Sequence, residues 1–260
     1  MSSSTELLAI AESAARAAAT GLVDQFGDDL RVSTKSTPTD PVSDADRAAE
    51  AAIRALLSQS RPGDSVLGEE GGEDSDGSAS DALRWVVDPL DGTVNYLFGI
   101  PHWSVSVAVE DADGAVAGVV LDPLRGECFS AVRGGGTFVN GAPVTASAQT
   151  DLSTSLVATG FAYDATWRAR QGEVAARLVS QVRDLRRMGS AALDLAWSAC
   201  GRYDAYYERA VKPWDRAAGV LLCQEAGLTV VELAEEDDQP AGVLVAPEGI
   251  VEALTGLVSG

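Results

Sequence analysis

An apolar run, Trp85-Val86-Val87, leads straight into Asp88-Pro89-Leu90-Asp91-Gly92-Thr93-Val94-Asn95. A chain with this segment must fold so that a buried strand, Leu83–Val87, delivers two carboxylates three residues apart at its end. Like charges held that close repel unless a proton or a cation sits between them. Hard divalent cations take oxygen ligands, which Asp88 and Asp91 supply. Pro89 fixes the turn so that both point one way. Gly92 permits close backbone approach, and a helix N-terminus there would offer amides to a phosphate. An isolated pattern of this kind reads more readily as a turn and a helix cap, so its weight depends on what else the chain carries.

Three other acidic segments have bland readings of their own. Gly68-Glu69-Glu70 would be a solvated pair, but it ends an apolar strand, where glutamates become metal ligands or bases. Lys212-Pro213-Trp214-Asp215-Arg216-Ala217-Ala218-Gly219 is an ordinary helix start, with Pro first and Asp in the first turn. Asp40 to Asp46 reads as a loop entering a capped helix.

Composition narrows the chemistry. The chain has 39 acidic against 19 basic residues, a net charge of −20, and its longest basic cluster is Arg186-Arg187. Nucleic-acid and anionic-membrane binding need clustered Lys and Arg, so neither is expected. His102 is the only histidine, which excludes multi-histidine metal sites and is read as a structural residue beside Trp103. Cys128, Cys200 and Cys223 are few, odd in number and widely spaced, which fits buried thiols in a reducing cytoplasm. Glu6, Glu12 and Arg16 interrupt the first apolar stretch, so no signal peptide is read there, and no charge-free run is long enough to cross a membrane.

The pattern along the chain alternates. Helices are expected over 5–26, with a Ser3/Glu6 capping box, and over 44–59, capped by Ser43. The segment 31–43 between them is rich in Ser, Thr and Pro, and reads as an extended, mobile loop or ribbon. Strands follow at 65–68, 83–87, 104–109, 116–121 and 127–132, with residues 71–82 a surface loop and Asp113-Gly114 a hairpin turn. The second half reads as helix 167–182, strand 184–187, helix 190–199, strand 204–208, a helix from Pro213 to before Gly227, strands 228–233 and 242–245, and a helix after Pro247. No repeat or clean linker breaks the chain, and mixed α/β layers with helices packed on sheets are expected.

Taken together, GEE, DPLDGTVNY and PWDRAAG, in this order and spacing, resemble the inositol monophosphatase family, from about Lys35 to Gly227. RRMGSAALDL and DAYYE are similar to that family's substrate-side segments. The resemblance implies a layered αβαβα sandwich of the inositol monophosphatase and fructose-1,6-bisphosphatase type. It implies one catalytic domain over 1–260, whose halves, about 1–145 and 146–260, flank the metal site. It implies two or three Mg²⁺ ions: Glu69, Asp88 and the Leu90 carbonyl on one, Asp88, Asp91 and Asp215 on a second, and Glu69 sharing a weaker third. Asp46 and Thr93, with Glu69 beside them, would position the attacking water, and Lys35 would lie on a lid above. Amides of Gly92 and Thr93 would hold the phosphate. Gly189, Ser190, Ala191 and Glu208 would contact the alcohol portion, beside Asp215.

Phosphoryl transfer suits such a site, because it needs in-line positioning and charge neutralisation more than a covalent nucleophile. The expected activity is hydrolysis of a small sugar or cyclitol phosphate, foremost myo-inositol 1-phosphate, by a cytoplasmic, lithium-sensitive homodimer. Histidinol phosphate, fructose 1,6-bisphosphate and a 3′-phosphonucleotide are the alternative substrates, and a mainly regulatory binding role is the alternative class. A bisphosphate enzyme needs an extra basic pocket, which no cluster in the sequence supplies.

Overall fold

The computed structural model describes residues 3–27, 32–34, 41–74, 83–236 and 239–259, with 32–34 and 41–43 described by backbone alone. Helix α1 is Ser4–Gln25, and its first turn is the expected capping box: Glu6 N donates to Ser3 Oγ at 3.2 Å and Ser3 N to Glu6 Oε2 at 2.7 Å. Strands β1 (Val32–Thr34) and β2 (Pro41–Ser43) pair antiparallel, so a ribbon does form in the Ser/Thr/Pro segment. Lys35 lies outside the described residues, as does most of the acidic loop, at 75–82. Helix α2 is Asp44–Ser60.

The first sheet contains β3 (Ser65–Gly68), β4 (Gly72–Glu73), β5 (Arg84–Asp91), β6 (Ser104–Asp111), β7 (Gly114–Asp122), β8 (Glu127–Val132), β9 (Gly136–Val139) and β10 (Ala142–Val144), in the order β10-β9-β8-β7-β6-β5-β3-β4. Short helix α3 (Thr93–Leu97) follows β5. The second sheet has β11 (Leu156–Thr159), β12 (Asp184–Arg186), β13 (Ala205–Arg209), β14 (Thr229–Leu233) and β15 (Gly242–Ala246), in the order β12-β11-β13-β15-β14. Helices α4 (Ala165–Leu178), α5 (Ala191–Ala199), α6 (Pro213–Glu225) and α7 (Glu248–Val258) complete the described elements.

These elements stack in five layers. The apolar faces of α1 and α2 cover one side of the eight-stranded sheet around Trp85, Trp103 and Val119. Helices α5 and α6 fill the space between the two sheets, where Val86 and Phe129 of the first meet Tyr206 and Val245 of the second through Leu193, Leu195 and Leu222. Helices α4 and α7 close the outer side around Val157, Leu244 and Ile250. The αβαβα sandwich is therefore the fold of this chain.

Two elements depart from the sequence reading in ways that matter below. Strand β5 does not stop at Asp88 but runs to Asp91, with a register shift against β6: Asp88 pairs with Ser106 and Asp91 with Ser104. Between these pairs Pro89 and Leu90 on β5 oppose Val105 alone on β6, which is a bulge. In a regular strand, residues three apart face opposite sides; the bulge turns Asp88 and Asp91 towards one cavity. Pro89, with no amide proton for the ladder, is suited to this position. Strand β11 was not expected at all. It is four residues long and pairs in parallel on both sides, so it lacks the alternation that marks a half-exposed strand. Strands β9 and β10 were likewise not expected, although Asn140-Gly141 between them is a turn signal in the sequence, and both residues adopt positive φ.

Candidate active site

The topology explains why distant carboxylates converge. Strands β3 and β5 are parallel, and Gly68 pairs with Val87, so the next residues, Glu69 and Asp88, lie side by side where β3 ends. Helix α6 packs across β5, β6 and β7. Its first turn is tied to the sheet where Ser106 Oγ, opposite Asp88, donates to the Trp214 carbonyl at 3.3 Å. That contact brings Asp215 to the same point from the other side. Asp215 is itself held by the amide of Lys212, which donates to Oδ2 at 2.6 Å.

Glu69, Asp88, Leu90, Asp91 and Asp215 line one cavity of about 220 Å³. Burial pushes the Asp88 carboxyl well above the usual carboxylate range, and the charges of Glu69, Asp91 and Asp215 push it further. Asp215 is raised well above its ordinary value by burial and then by Glu69 and Asp91. Asp91 is raised by burial to about 6, and the hydroxyl of Ser190 and the amides of Ala192 and Ala191 keep it from rising further. Those amides donate at 2.8 Å and 3.3 Å, and Ser190 Oγ makes a very short bond to Asp91 Oδ2.

The donor set is all oxygen, four carboxylates and the Leu90 carbonyl, which fits a hard divalent cation. The part of the elevation that Asp88 and Asp215 owe to their charged neighbours is the repulsion such a cation relieves. Among the described residues no three acidic, histidine or cysteine side chains are already drawn to one ion position. Each aspartate instead holds an amide: Asp88 Oδ1 accepts from Leu90 N at 3.0 Å, and Asp91 and Asp215 accept as above.

Beside this cluster, Thr93 Oγ1 lies 3.0 Å from Asp46 Oδ1 and 3.1 Å from the Leu90 carbonyl. A hydroxyl has one proton, so it donates to one of these at a time and keeps lone pairs to accept from a water. Asp46, in the first turn of α2, is completely buried, so its side chain serves Thr93 rather than solvent. Gly92 caps α3 with φ +97°, and the first amides of that helix have no intrahelical partner. Asn95, the last residue of the long motif, donates from Nδ2 to the carbonyls of His102 at 2.7 Å and Met188 at 2.8 Å, which fixes Gly189 beside Gly92.

The opposite wall comes from the second sheet. Glu208 on β13 lines the cavity, and its Oε2 accepts from Tyr206 OH at 2.9 Å. Burial lifts Glu208 to about 7, against the pull of Tyr206 and the Arg187 guanidinium. Gly189 and Ala191 also line the cavity. Ser190 does not: it is buried behind Asp91, where its hydroxyl serves that carboxylate. His102 sits outside the cavity, buried with its ring edge-on to Trp197, and burial lowers its pKa to about 4. Its ring partner is Trp197.

Sequence reasoning passed over Arg187 and the wall formed by Gly160 to Tyr163. Arg187 was within sight, two residues before Gly189 in a segment already noted. The Gly160 wall was hidden because the strand before it, β11, was not read.

This fold and acidic cavity define a phosphatase class, and similarity to known proteins places the chain within it. Residues 3–258 match the family model described as the inositol monophosphatase family, and the chain belongs to that family. It is 45% identical to an inositol-1-monophosphatase of Mycobacterium leprae, over 96% of this chain and 92% of that one. It is 43% identical to the Nus factor SuhB of Pasteurella multocida, over 77% of this chain and 74% of that one. Among solved structures, the extragenic suppressor protein suhB of Bartonella henselae superposes with a TM-score of 0.89 at 36% identity, covering 97% of this chain and 98% of that one. The protein is thus a phosphatase, a hydrolase acting on small phosphate substrates, of a family that is generally metal-dependent. Among the described residues no helix is long and apolar enough to cross a membrane.

Proposed function

We propose that this chain hydrolyses myo-inositol 1-phosphate to inositol and phosphate in a Mg²⁺-dependent reaction, with two or three ions bound. The observation that carries this reading is one cavity in which four carboxylates and a carbonyl face the Asp46–Thr93 pair, with the acceptor Glu208 opposite. Glu69, Asp88, Leu90, Asp91 and Asp215 would hold the cations. When bound, divalent cations supply charge neutralisation at the phosphoryl group and acidify the attacking water. Asp46 holds Thr93, whose oxygen accepts from that water and aligns it. The amides of Gly92 and Thr93 receive the phosphoryl oxygens. Glu208 accepts from the hydroxyls of the cyclitol, with Gly189 and Ala191 beneath the ring.

Inositol phosphate is favoured over a bisphosphate because Glu208 repels a second phosphate. Of the cationic side chains lining the cavity, Arg187 is already engaged electrostatically with Glu208. The relative from Mycobacterium leprae, named for the same activity, supports the choice. The Nus factor name of other relatives raises a regulatory role, against which stands the net charge of −20. We further propose that the two halves, about 1–145 and 146–260, act as one catalytic unit in a lithium-sensitive cytoplasmic homodimer. Three free cysteines suit a reducing compartment, and the 79% exposed Phe98 beside Ile100 suits a face covered by a second copy.

The test is phosphate release with Mg²⁺ and with EDTA from inositol 1-phosphate, histidinol phosphate, fructose 1,6-bisphosphate and a 3′-phosphonucleotide, each with and without lithium. Inositol 1-phosphate should give the highest kcat/KM. Equal rates with and without chelator would refute the metal-dependent reading, and a faster rival would replace the substrate.

A further inference from the structure

Residue Glu50 is buried, on the second turn of α2, and no segment singled out in the sequence includes it. A buried carboxylate is costly unless its oxygens are satisfied. Here the donors come from the turn after β3 and from the next turn of α2 itself. Glu70 N donates to Oε2 at 2.7 Å, Gly71 N to Oε1 at 2.9 Å, and Arg54 Nε to Oε1 at 2.7 Å. Arg54 continues the grip, with Nη2 on the Gly72 carbonyl at 2.7 Å and Nη1 on Asp74 at 2.6 Å. Asp46, Glu50 and Arg54 are spaced four apart and so share one face of α2. One helix face therefore reaches Thr93 with its first residue and the turn after β3 with the next two.

We infer that Glu50 is a positioning residue for the cation cluster, because its carboxylate sets the turn that presents Glu69. Glu69 is the residue between Gly68, which lies against Glu50, and the two amides that Glu50 binds. A Cβ on Gly68 would lie 2.5 Å from Glu50 Oε1, and one on Gly71 would lie 2.8 Å from it. Neither glycine has a positive φ, so the backbone conformation does not demand them; the carboxylate packed beneath does. The sequence Gly-Glu-Glu-Gly thus sets the ligand Glu69 and its neighbour Glu70 between the two positions that must stay small for Glu50 to fit. The two bonds from the turn are charge-assisted and tie its main chain to the carboxylate. This inference rests on the cation chemistry proposed above.

The experiment is isothermal titration of wild type, Glu50→Gln, Glu69→Gln and the double variant with MgCl₂ in the absence of substrate, with circular dichroism as the check on folding. Glu50→Gln keeps the size but sets an amide NH₂ against an N–H donor. Outer-shell partners of this kind alter metal affinity roughly 10- to 100-fold, and a loss of that size is expected. The Mg²⁺ concentration for half-maximal activity should rise by the same factor, while KM for nitrophenyl phosphate at saturating Mg²⁺ holds within about twofold. In the Glu69→Gln background the second substitution should change binding by less than about twofold, since its effect passes through Glu69. Unaltered Mg²⁺ binding in Glu50→Gln overturns the inference, and so does an equal loss in both backgrounds, which marks a general structural role. Should Glu50→Gln not fold, Gly71→Ala crowds the same carboxylate from the turn side and is expected to weaken Mg²⁺ likewise; unchanged binding there overturns the inference. A wild type that binds no Mg²⁺ removes the proposed function and this inference together, whereas binding that ignores Glu50 removes the inference alone.

Discussion

Replacing Gly160 with alanine moves Glu208 without touching any carboxylate of the cation cluster. A Cβ at residue 160 would lie 1.9 Å from Glu208 Oε2 and 2.1 Å from Oε1, where ordinary contact starts at 3.4 Å. The carboxylate must therefore retreat by about 1.5 Å or β11 must part from β13. The two strands are paired in parallel, with Thr159 opposite Tyr207 and Ala158 opposite Tyr206, so the side chain yields before the ladder does. Its retreat withdraws the acceptor from the substrate and strains the 2.9 Å bond from Tyr206. Leaving desolvated hydroxyls without a partner costs roughly 1–3 kcal/mol. That corresponds to a fall of about 5- to 150-fold in kcat/KM for inositol 1-phosphate. Nitrophenyl phosphate has no such hydroxyls, and its kcat/KM should stay within about twofold. Both substrates are followed by phosphate release at saturating Mg²⁺, with Glu208→Ala alongside as the reference for complete loss of the acceptor. Equal falls for both substrates would show that the change reaches the cation cluster or the fold. An unaltered rate on inositol 1-phosphate would show that Glu208 does not touch the substrate. Burial lifts Glu208 to about 7, so the stronger, ionised acceptor forms above that pH. The preference for inositol 1-phosphate over nitrophenyl phosphate should therefore grow as pH rises through about 7, and that step should be absent in Glu208→Gln.

The carboxylate cluster makes the metal-free protein pH-sensitive. Asp88 and Asp91 are raised in the folded state from 3.8, Asp91 to about 6, so the protonated native form is the favoured one. Their stabilising contribution is full below the unfolded value and is lost as pH rises through the raised folded values, about 6 for Asp91, a loss on the order of 3 kcal/mol for Asp91. In EDTA the Tm should fall from pH 5 to pH 8, and Asp88→Asn should flatten that decline by a few degrees; an identical decline in both would refute the assignment. Thr93→Ala should lower kcat on the order of 10²-fold with little change in KM, since its hydroxyl aligns the water; steady-state kinetics showing only a KM effect would confine Thr93 to phosphate binding.

The ends of the elements were more legible than the path between them. DPLDGTVN announced its strand and its acidic end because apolar burial and paired carboxylates are local signals. That Asp88 and Asp91 share one cavity was legible only as a consequence; the bulge that achieves it depends on the β6 register, which no local window contains. Asp215 was visible as a helix start, and its partners only through the family resemblance, since the tie from Ser106 to Trp214 joins residues far apart in sequence. The tie of Ser190 to Asp91 was hidden for the same reason. A serine before an apolar helix reads as a cap, which it is, with its hydroxyl 3.4 Å from Leu193 N, but nothing nearby in sequence tells that the same hydroxyl reaches Asp91. Glu50 was invisible because an acidic residue on a helix is normally solvated, and only the packing of β3 against α2 puts it inside.

Asp91 belongs to the eight-stranded sheet, yet Ser190, Ala191 and Ala192 fasten it to the start of α5, in the layer between the sheets. If it also answers to the cations, the supply of magnesium reaches beyond the reaction rate to the lifetime of the protein. Copies that go without the ion keep unrelieved repulsion at the seam between the layers, and open there more often. Proteases sample such open forms, so the number of molecules a cell retains would track its magnesium alongside the speed of each one.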